Sequence, residues 1–293
     1  MNNIRKLAFI GGGNMAAALI GGLTKRGLAN DRIVVADPSP DQLNRLAREF
    51  GVKVTADNAS AVQDAEVVVL AVKPQMMRGV VTGLAPHIVG TQTPPNMGAT
   101  QAIRLGPAQT LVISVAAGIP HAALARWLGP NVPVIRTMPN RPALNGFGAT
   151  GLYAPKSVGA ANRALAEMVM AAVSAIVWVE HESQMDTVTA LSGSGPAYFF
   201  LFMEALEAAA HERGLPKEIA HQLTLDTALG AAQMARQSAE SLATLREQVT
   251  SKGGTTAAAL AVLDAAGLRG IVAHAVAAAD RRSAELAAEY GVP

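Results

Sequence analysis

Two glycine-rich turns, one near each end of the chain, have the residue types and spacing to hold anions. The first is Gly11-Gly12-Gly13-Asn14-Met15-Ala16, and the second is Gly253-Gly254-Thr255-Thr256. Each opens into a run of helix-forming residues. A glycine turn ahead of a helix leaves first-turn N–H groups without intrahelical partners, and the helix dipole adds positive potential where they point. That arrangement suits a phosphate or a carboxylate. Thr255 or Thr256 is expected to be the N-cap, because its hydroxyl can accept a bond from a first-turn N–H. A plain capped helix after a tight turn has the same residues, so neither turn decides a function alone.

The surroundings of the first turn sharpen its reading. Residues 4–10 read as a buried strand, 14–26 as a helix closed by Gly27, and 32–37 as a second strand. This is the setting of the G-x-G-x-x-A dinucleotide fingerprint. In it Gly11 permits the turn, Gly13 lets a pyrophosphate approach the backbone, and Ala16 lets helix pack on strand. Asp37 ends the second strand, where an acid grips the ribose 2′-hydroxyl of NAD. Ser39 follows, and Arg45 and Arg48 on the next helix could meet a 2′-phosphate, so these residues leave NAD and NADP both open. Residues 66–72 form a third clear strand, which places Ala71, Val72, Lys73 and Pro74 at the carboxyl edge of a sheet, where cofactors sit.

Further strands read at 52–54, 110–115, 133–136, 148–153 and 173–179, with helices between them. The pattern predicts an α/β Rossmann-like N-terminal domain over 1–181, with a doubly wound, mostly parallel sheet. Periodicity fails near 89–110, where Thr93-Pro94-Pro95-Asn96-Met97-Gly98 is turn chemistry, and a loop insertion near 91–105 is expected. From 182 to 293 the chain reads as an all-α domain, with helices at 182–191, 197–213, 217–237, 257–266 and 268–289. Their apolar faces are wider than one layer of helices can cover, which predicts a homodimer through this half.

Composition narrows the function classes. The net charge is +2, aromatics are 4% of the 293 residues, and there is no basic block, so a nucleic-acid surface is not expected. With no cysteine, disulfides, thiol catalysis and cysteine metal sites are excluded. The histidines lack metal spacing, and Glu180-His181-Glu182 is too local to converge on one ion, so no metal is expected. The longest apolar run, 168–179, is too short to span a bilayer. The glycines at 11–13 interrupt the first apolar run too early for a signal peptide. A cytoplasmic protein without membrane attachment is expected.

With both turns placed, the chain resembles the pyrroline-5-carboxylate reductases. The resemblance runs over nearly the whole length. It is carried by Gly11 to Ala16, Ala71-Val72-Lys73-Pro74, Ser114-Val115-Ala116-Ala117-Gly118, Leu191 through Tyr198 and, most specifically, Leu245 through Asp264. It implies reduction of 1-pyrroline-5-carboxylate to L-proline, the last step of proline biosynthesis. The implied coenzyme is NADPH, with NADH as a second candidate. Cofactor contacts would map to Gly11, Gly12, Gly13, Asn14, Met15, Asp37, Ser39, Asn58, Ala71, Val72, Lys73, Pro74, Val115, Ala116 and Ala117. Substrate contacts would map to Glu182, Gln248, Thr255 and Thr256, together with Ser251, Gly253 and Gly254 of the adjoining turn. The resemblance also implies a homodimer and leaves room for a larger assembly of dimers. Departures from the family pattern are the length near 91–105, Lys252 where proline is common, Arg141 where a small residue is common, and Gln248 where some relatives have asparagine.

The family's substrate is a cyclic imine bearing a carboxylate. Once protonated it is an iminium ion whose carbon accepts hydride, so catalysis is chiefly positioning. The turn at Gly253 to Thr256 could hold the carboxylate, and the catalytic candidate Thr256 could bond the ring nitrogen. Glu182 could favour the iminium by its negative charge. A β-hydroxyacid dehydrogenase would carry a lysine on the first long helix after the domain boundary, and residues 197–213 contain none. A non-enzymatic NAD(P)-sensing module is the remaining alternative, and it predicts binding without turnover.

Overall fold

A computed structural model describes residues 4–88 and 110–291. The insertion expected near 91–105 lies outside the described residues. In chain order the elements are β1 (Leu7–Ile10), α1 (Asn14–Lys25), β2 (Ile33–Ala36), α2 (Pro40–Phe50), β3 (Lys53–Thr55), α3 (Asn58–Val62), β4 (Val67–Leu70) and α4 (Pro74–Ile88). They continue with β5 (Leu111–Ser114), α5 (His121–Leu128), β6 (Val134–Met138), β7 (Gly148–Tyr153), α6 (Ala160–Met170), β8 (Ser174–Trp178) and α7 (Gln184–Val188). The remaining helices are α8 (Gly195–Glu212), α9 (Lys217–Gln237), α10 (Leu242–Gln248), α11 (Thr255–Ala265) and α12 (Leu268–Tyr290).

The strands form one sheet of order β3-β2-β1-β4-β5-β6-β7-β8. Every neighbouring pair is parallel except β6 with β7. β1, β4 and β5 are buried along their whole length. They read LAFI, VVVL and LVIS because helices cover both faces, which removes the polar alternation of a half-exposed strand. One core packs Phe9, Leu19, Leu23, Val69 and Ile113, and the other packs Ile10, Val68, Leu70, Met77 and Val81. The strand order reverses between β1 and β4, the switch point at which such sheets bind ligands.

The chain divides into two compact units, Met1–Gly193 with Ala279–Pro293, and Ser194–Ala278. The sequence pattern put a boundary at 181/182, where the strands stop. By contacts, α7 and the end of α12 group with the sheet. The Thr187 hydroxyl donates to Asp280 at 2.7 Å, the Ser283 hydroxyl to Asp186 at 2.8 Å, and the Gln75 amide to the Tyr290 hydroxyl at 3.0 Å. The helix expected over 182–191 is the short α7 followed by a π-helical turn, Thr189–Gly193. Thr189 and Ser192 turn their hydroxyls back onto the carbonyls of Met185 and Val188 there.

The second unit has almost no interior. Ala220 is its one buried apolar side chain and Thr224 its one buried polar side chain among the described residues. Phe199, Phe200 and Leu201 on α8 are 71, 64 and 67% exposed. No single helix among the described residues is long and apolar enough to cross a membrane.

Candidate functional site

The first glycine turn lies in the crevice between β1, β2 and β4. Gly11 N–H donates to the Ala36 carbonyl at 2.8 Å, and Ala71 N–H donates to the Ile10 carbonyl at 2.8 Å. Gly11 has φ +99°, and a Cβ there would lie 2.6 Å from the Ala71 carbonyl oxygen, so both conformation and space demand glycine. Gly13 is different. It is the N-cap of α1 at φ −67°, and a Cβ built on it meets nothing within 4 Å. Packing within the chain gives no reason for glycine at 13, and open space at a helix start is the cradle a pyrophosphate needs. No side chain caps α1 and no acid stands in its first turn. The first helical bond is Ala17 N–H to the Gly13 carbonyl at 3.0 Å, so the N–H groups ahead of it are available to an anion. The residues present therefore fit a dinucleotide.

Around this turn the sheet gathers the other expected cofactor contacts. Asp37 and Ser39 follow β2, Asn58 opens α3 after β3, Ala71 to Pro74 follow β4, and Val115 to Ala117 follow β5. All lie past the carboxyl ends of parallel strands, because helices return the chain to the opposite edge each time. Asp37 is fixed by both oxygens. Oδ2 accepts from Gly12 N–H at 2.7 Å and Oδ1 from Ser39 N–H at 2.8 Å. Ser39 in turn caps α2 by accepting from Gln42 N–H.

Glu182 lies elsewhere in the first unit, in a polar cluster. Its Oε1 accepts from the Arg136 guanidinium and, at 2.5 Å, from His121 N–H. The Arg136 side chain is 9% exposed on β6, and the His121 ring meets Tyr153 edge-on at 6.3 Å. Burial holds the His121 imidazole below its ordinary 6.5; Glu182 pulls it upward and Arg136 pushes it further down.

In the second unit, α11 repeats the construction of α1. Gly254 is its N-cap at φ −83°, ψ 176°, against −67° and −174° for Gly13, and again no side chain caps the helix. The expectation that Thr255 or Thr256 would be the N-cap is corrected, since they are the first two helical residues. Gly253 at φ +71° and the bond from Gly254 N–H to the Ser251 carbonyl at 3.1 Å set the helix start one residue earlier. The threonine hydroxyls are thereby left out of capping. Gln248 ends α10, six residues before Gly254.

With this geometry in place, comparison with known proteins settles the family. A family model described as pyrroline-5-carboxylate reductase dimerisation matches residues 182–286. A second, described as NADP oxidoreductase coenzyme F420-dependent, matches 6–91. The pyrroline-5-carboxylate reductase of Pseudomonas aeruginosa is 49% identical over 286 residues, 98% of each chain. That of Vibrio alginolyticus is 44% identical over 96% of this chain and 97% of its own. The chain belongs to the pyrroline-5-carboxylate reductase family. Among solved structures, a pyrroline-5-carboxylate reductase from Coxiella burnetii has a TM-score of 0.88 at 42% identity, covering 97% of this chain and 99% of its own. A pyrroline carboxylate reductase from Plasmodium falciparum, with NADP bound, has a TM-score of 0.81 at 27% identity, covering 98% and 99%.

Within the family frame, two points differ from the sequence reading. Glu182, whose negative charge was expected to favour an iminium, is ion-paired with Arg136, a contact absent from the sequence reading. Arg136 itself was read only as the end of a strand. Its signal was one charge inside the otherwise apolar run VIRTM, a position that requires a partner. Among the described residues no group of His, Asp or Glu has the arrangement of a metal site.

Proposed function

We propose that the chain reduces 1-pyrroline-5-carboxylate to L-proline with NADPH or NADH, as the names of its relatives suggest. The observation that carries this reading is the matched pair of helix starts, α1 at Gly13 and α11 at Gly254, each glycine-capped and without a side-chain cap. Two anion sites serve two reactants, a pyrophosphate and a carboxylate.

The coenzyme would be held by Gly11 to Met15, Asp37, Ser39, Asn58, Ala71 to Pro74 and Val115 to Ala117, and it supplies hydride. The chain's own work is to bind and orient. The first-turn N–H groups of α11 donate to the substrate carboxylate. The Thr256 hydroxyl, free of capping, can accept from an iminium N–H or donate to an amine lone pair, so it fits the ring nitrogen before and after reduction. Glu182, anchored through Oε1, keeps Oε2 for a polar ligand atom.

We also infer a homodimer formed through the helical unit. A unit with one buried apolar side chain has no core of its own, and a second copy is the simplest source of one. A cytoplasmic location fits a biosynthetic enzyme of this kind. The test of function is incubation with 1-pyrroline-5-carboxylate and reduced coenzyme, following coenzyme absorbance and chromatographic release of proline. Equal amounts of oxidised coenzyme and proline are expected. Coenzyme binding without turnover would leave only a sensing module.

A further inference from the structure

We infer that Arg136 is a positioning residue for the reduction: by gripping Oε1 of Glu182 it keeps the other oxygen, Oε2, turned to the imine. The inference rests on the reductase reading above, in which Glu182 meets the substrate, and it gives a task to a residue which that reading leaves out. Glu182 belongs to the short turn between β8 and α7, outside any helix or strand. A glutamate on such a turn has several rotamers open to it, and ordering one of them costs entropy. Here Oε1 accepts from two donors at once, the Arg136 guanidinium and His121 N–H. Oε2 accepts from no described residue. It is not enclosed either, since the buried side-chain polar atoms without partners are those of Trp127, Thr150 and Ser174. One oxygen is anchored and the other is open.

The anchor comes from a rigid part of the sheet unit. β6 is paired on both sides, and Arg136 stands opposite Ser114 of β5 and Tyr153 of β7. A strand held in this way places a guanidinium more precisely than a loop could. The second donor is equally fixed. His121 is the first residue of α5, whose N-cap Pro120 supplies no side-chain bond, so its N–H is one that the helix leaves unpaired.

Stability alone does not account for the cation. An ion pair withdrawn from water returns little net stability, and apolar side chains of similar volume often serve as well or better. Val134 and Ile135 beside it are apolar and fully buried, so a methionine at 136 would suit β6. It could not hold a carboxylate oxygen. With Oε1 bonded to the guanidinium, Oε2 is the oxygen left to accept from a protonated imine.

The test is steady-state kinetics with 1-pyrroline-5-carboxylate at saturating coenzyme on Arg136→Met, Glu182→Gln and the double variant. Thermal melts and coenzyme titration check the fold of each. Both single variants should raise the KM of the imine by roughly tenfold to a hundredfold, with kcat changed less and coenzyme Kd unchanged. The double variant should have the KM of Glu182→Gln, because Arg136 then has nothing left to position. Arg136→Lys keeps the charge and loses the planar fork, so it should recover only part of the loss. A purely structural role would lower Tm without moving KM. A parental KM in folded Arg136→Met or in Glu182→Gln would overturn the inference and leave the reductase reading standing. So would a double variant whose KM rises by the product of the two single effects. Should Arg136→Met not fold, the double variant, which carries no orphan charge, decides: a KM equal to that of Glu182→Gln upholds the inference, and a higher one overturns it. An unaltered protein that does not turn over the imine would sink both readings.

Discussion

Arg136 shows what a single buried charge demands. On β6 it is enclosed by an apolar strand and its neighbours, and it persists because Glu182 matches it. Replacing Arg136 with Met should leave the Glu182 carboxylate short of its main partner. The expected loss is about 2–3 kcal/mol, less than the ~3–5 of a fully buried pair, because the Glu182 side chain is 29% exposed. The Arg136→Met, Glu182→Gln double variant should recover part of that loss, since no orphan charge remains. Denaturant midpoints measure both, and a single variant as stable as the parent would refute the pairing. His121 adds a pH dependence. Its imidazole is held below the ordinary 6.5 chiefly by burial, so the unfolded chain takes up a proton that the folded chain resists. The unfolded state binds more protons, and this stability is therefore present above 6.5 and lost as pH falls through and below that value. His121→Gln should flatten that part of the pH–stability curve, and a slope unchanged in the variant would assign it elsewhere. This cluster was only half legible in the sequence. The arginine stood out within its strand, but its partner is 46 residues away, and spacing says nothing about contacts over that separation.

The strands were the most legible elements, because their apolar runs are continuous and end at glycine, proline or polar residues. Each of the eight was visible in the sequence, and β1, β4 and β5 most plainly. Helix starts were harder to read. The threonines after Gly254 have the right chemistry for a cap, yet the left-handed Gly253 moves the cap to Gly254, and sequence alone does not give that torsion. α10 went unread because seven residues carry too little periodicity, although Ser241 caps it by accepting from Thr244 N–H at 3.1 Å. The glycines of α1 give a paired prediction. A Cβ at Gly22 would meet Val173 and lie 2.8 Å from the Ala172 carbonyl, so Gly22→Ala should cost about 1–3 kcal/mol by overpacking. A Cβ at Gly13 meets nothing, and φ −67° suits alanine, so Gly13→Ala should leave Tm unchanged or slightly raised while weakening coenzyme binding. Thermal melts and coenzyme titrations of both variants check this. A destabilised Gly13→Ala with normal coenzyme affinity would mean that glycine serves the fold there and not a ligand.

The whole molecule comprises a well-buried sheet unit and an exposed helical unit. Phe199, Phe200 and Leu201 lie mostly in water in the single chain, and the proposed homodimer would cover them. Sedimentation at micromolar concentration should therefore show no folded monomer, and helical content should fall on dilution as association is lost. A monomer with full helical content would contradict this. The sequence announced the wide apolar faces but not how few of their side chains the chain itself buries, because burial depends on which faces meet. In the proposed function, α1 would hold the coenzyme and α11 the imine's carboxylate and ring nitrogen. Thr256→Val tests it most directly, since it keeps shape and branching and removes only the hydroxyl. Steady-state kinetics and coenzyme titration on this variant should give a kcat/KM for the imine lower by roughly tenfold to a hundredfold, the equivalent of ~1.5–3 kcal/mol, with coenzyme Kd unchanged. Weakened coenzyme binding with imine turnover preserved at saturating coenzyme would contradict the assignment.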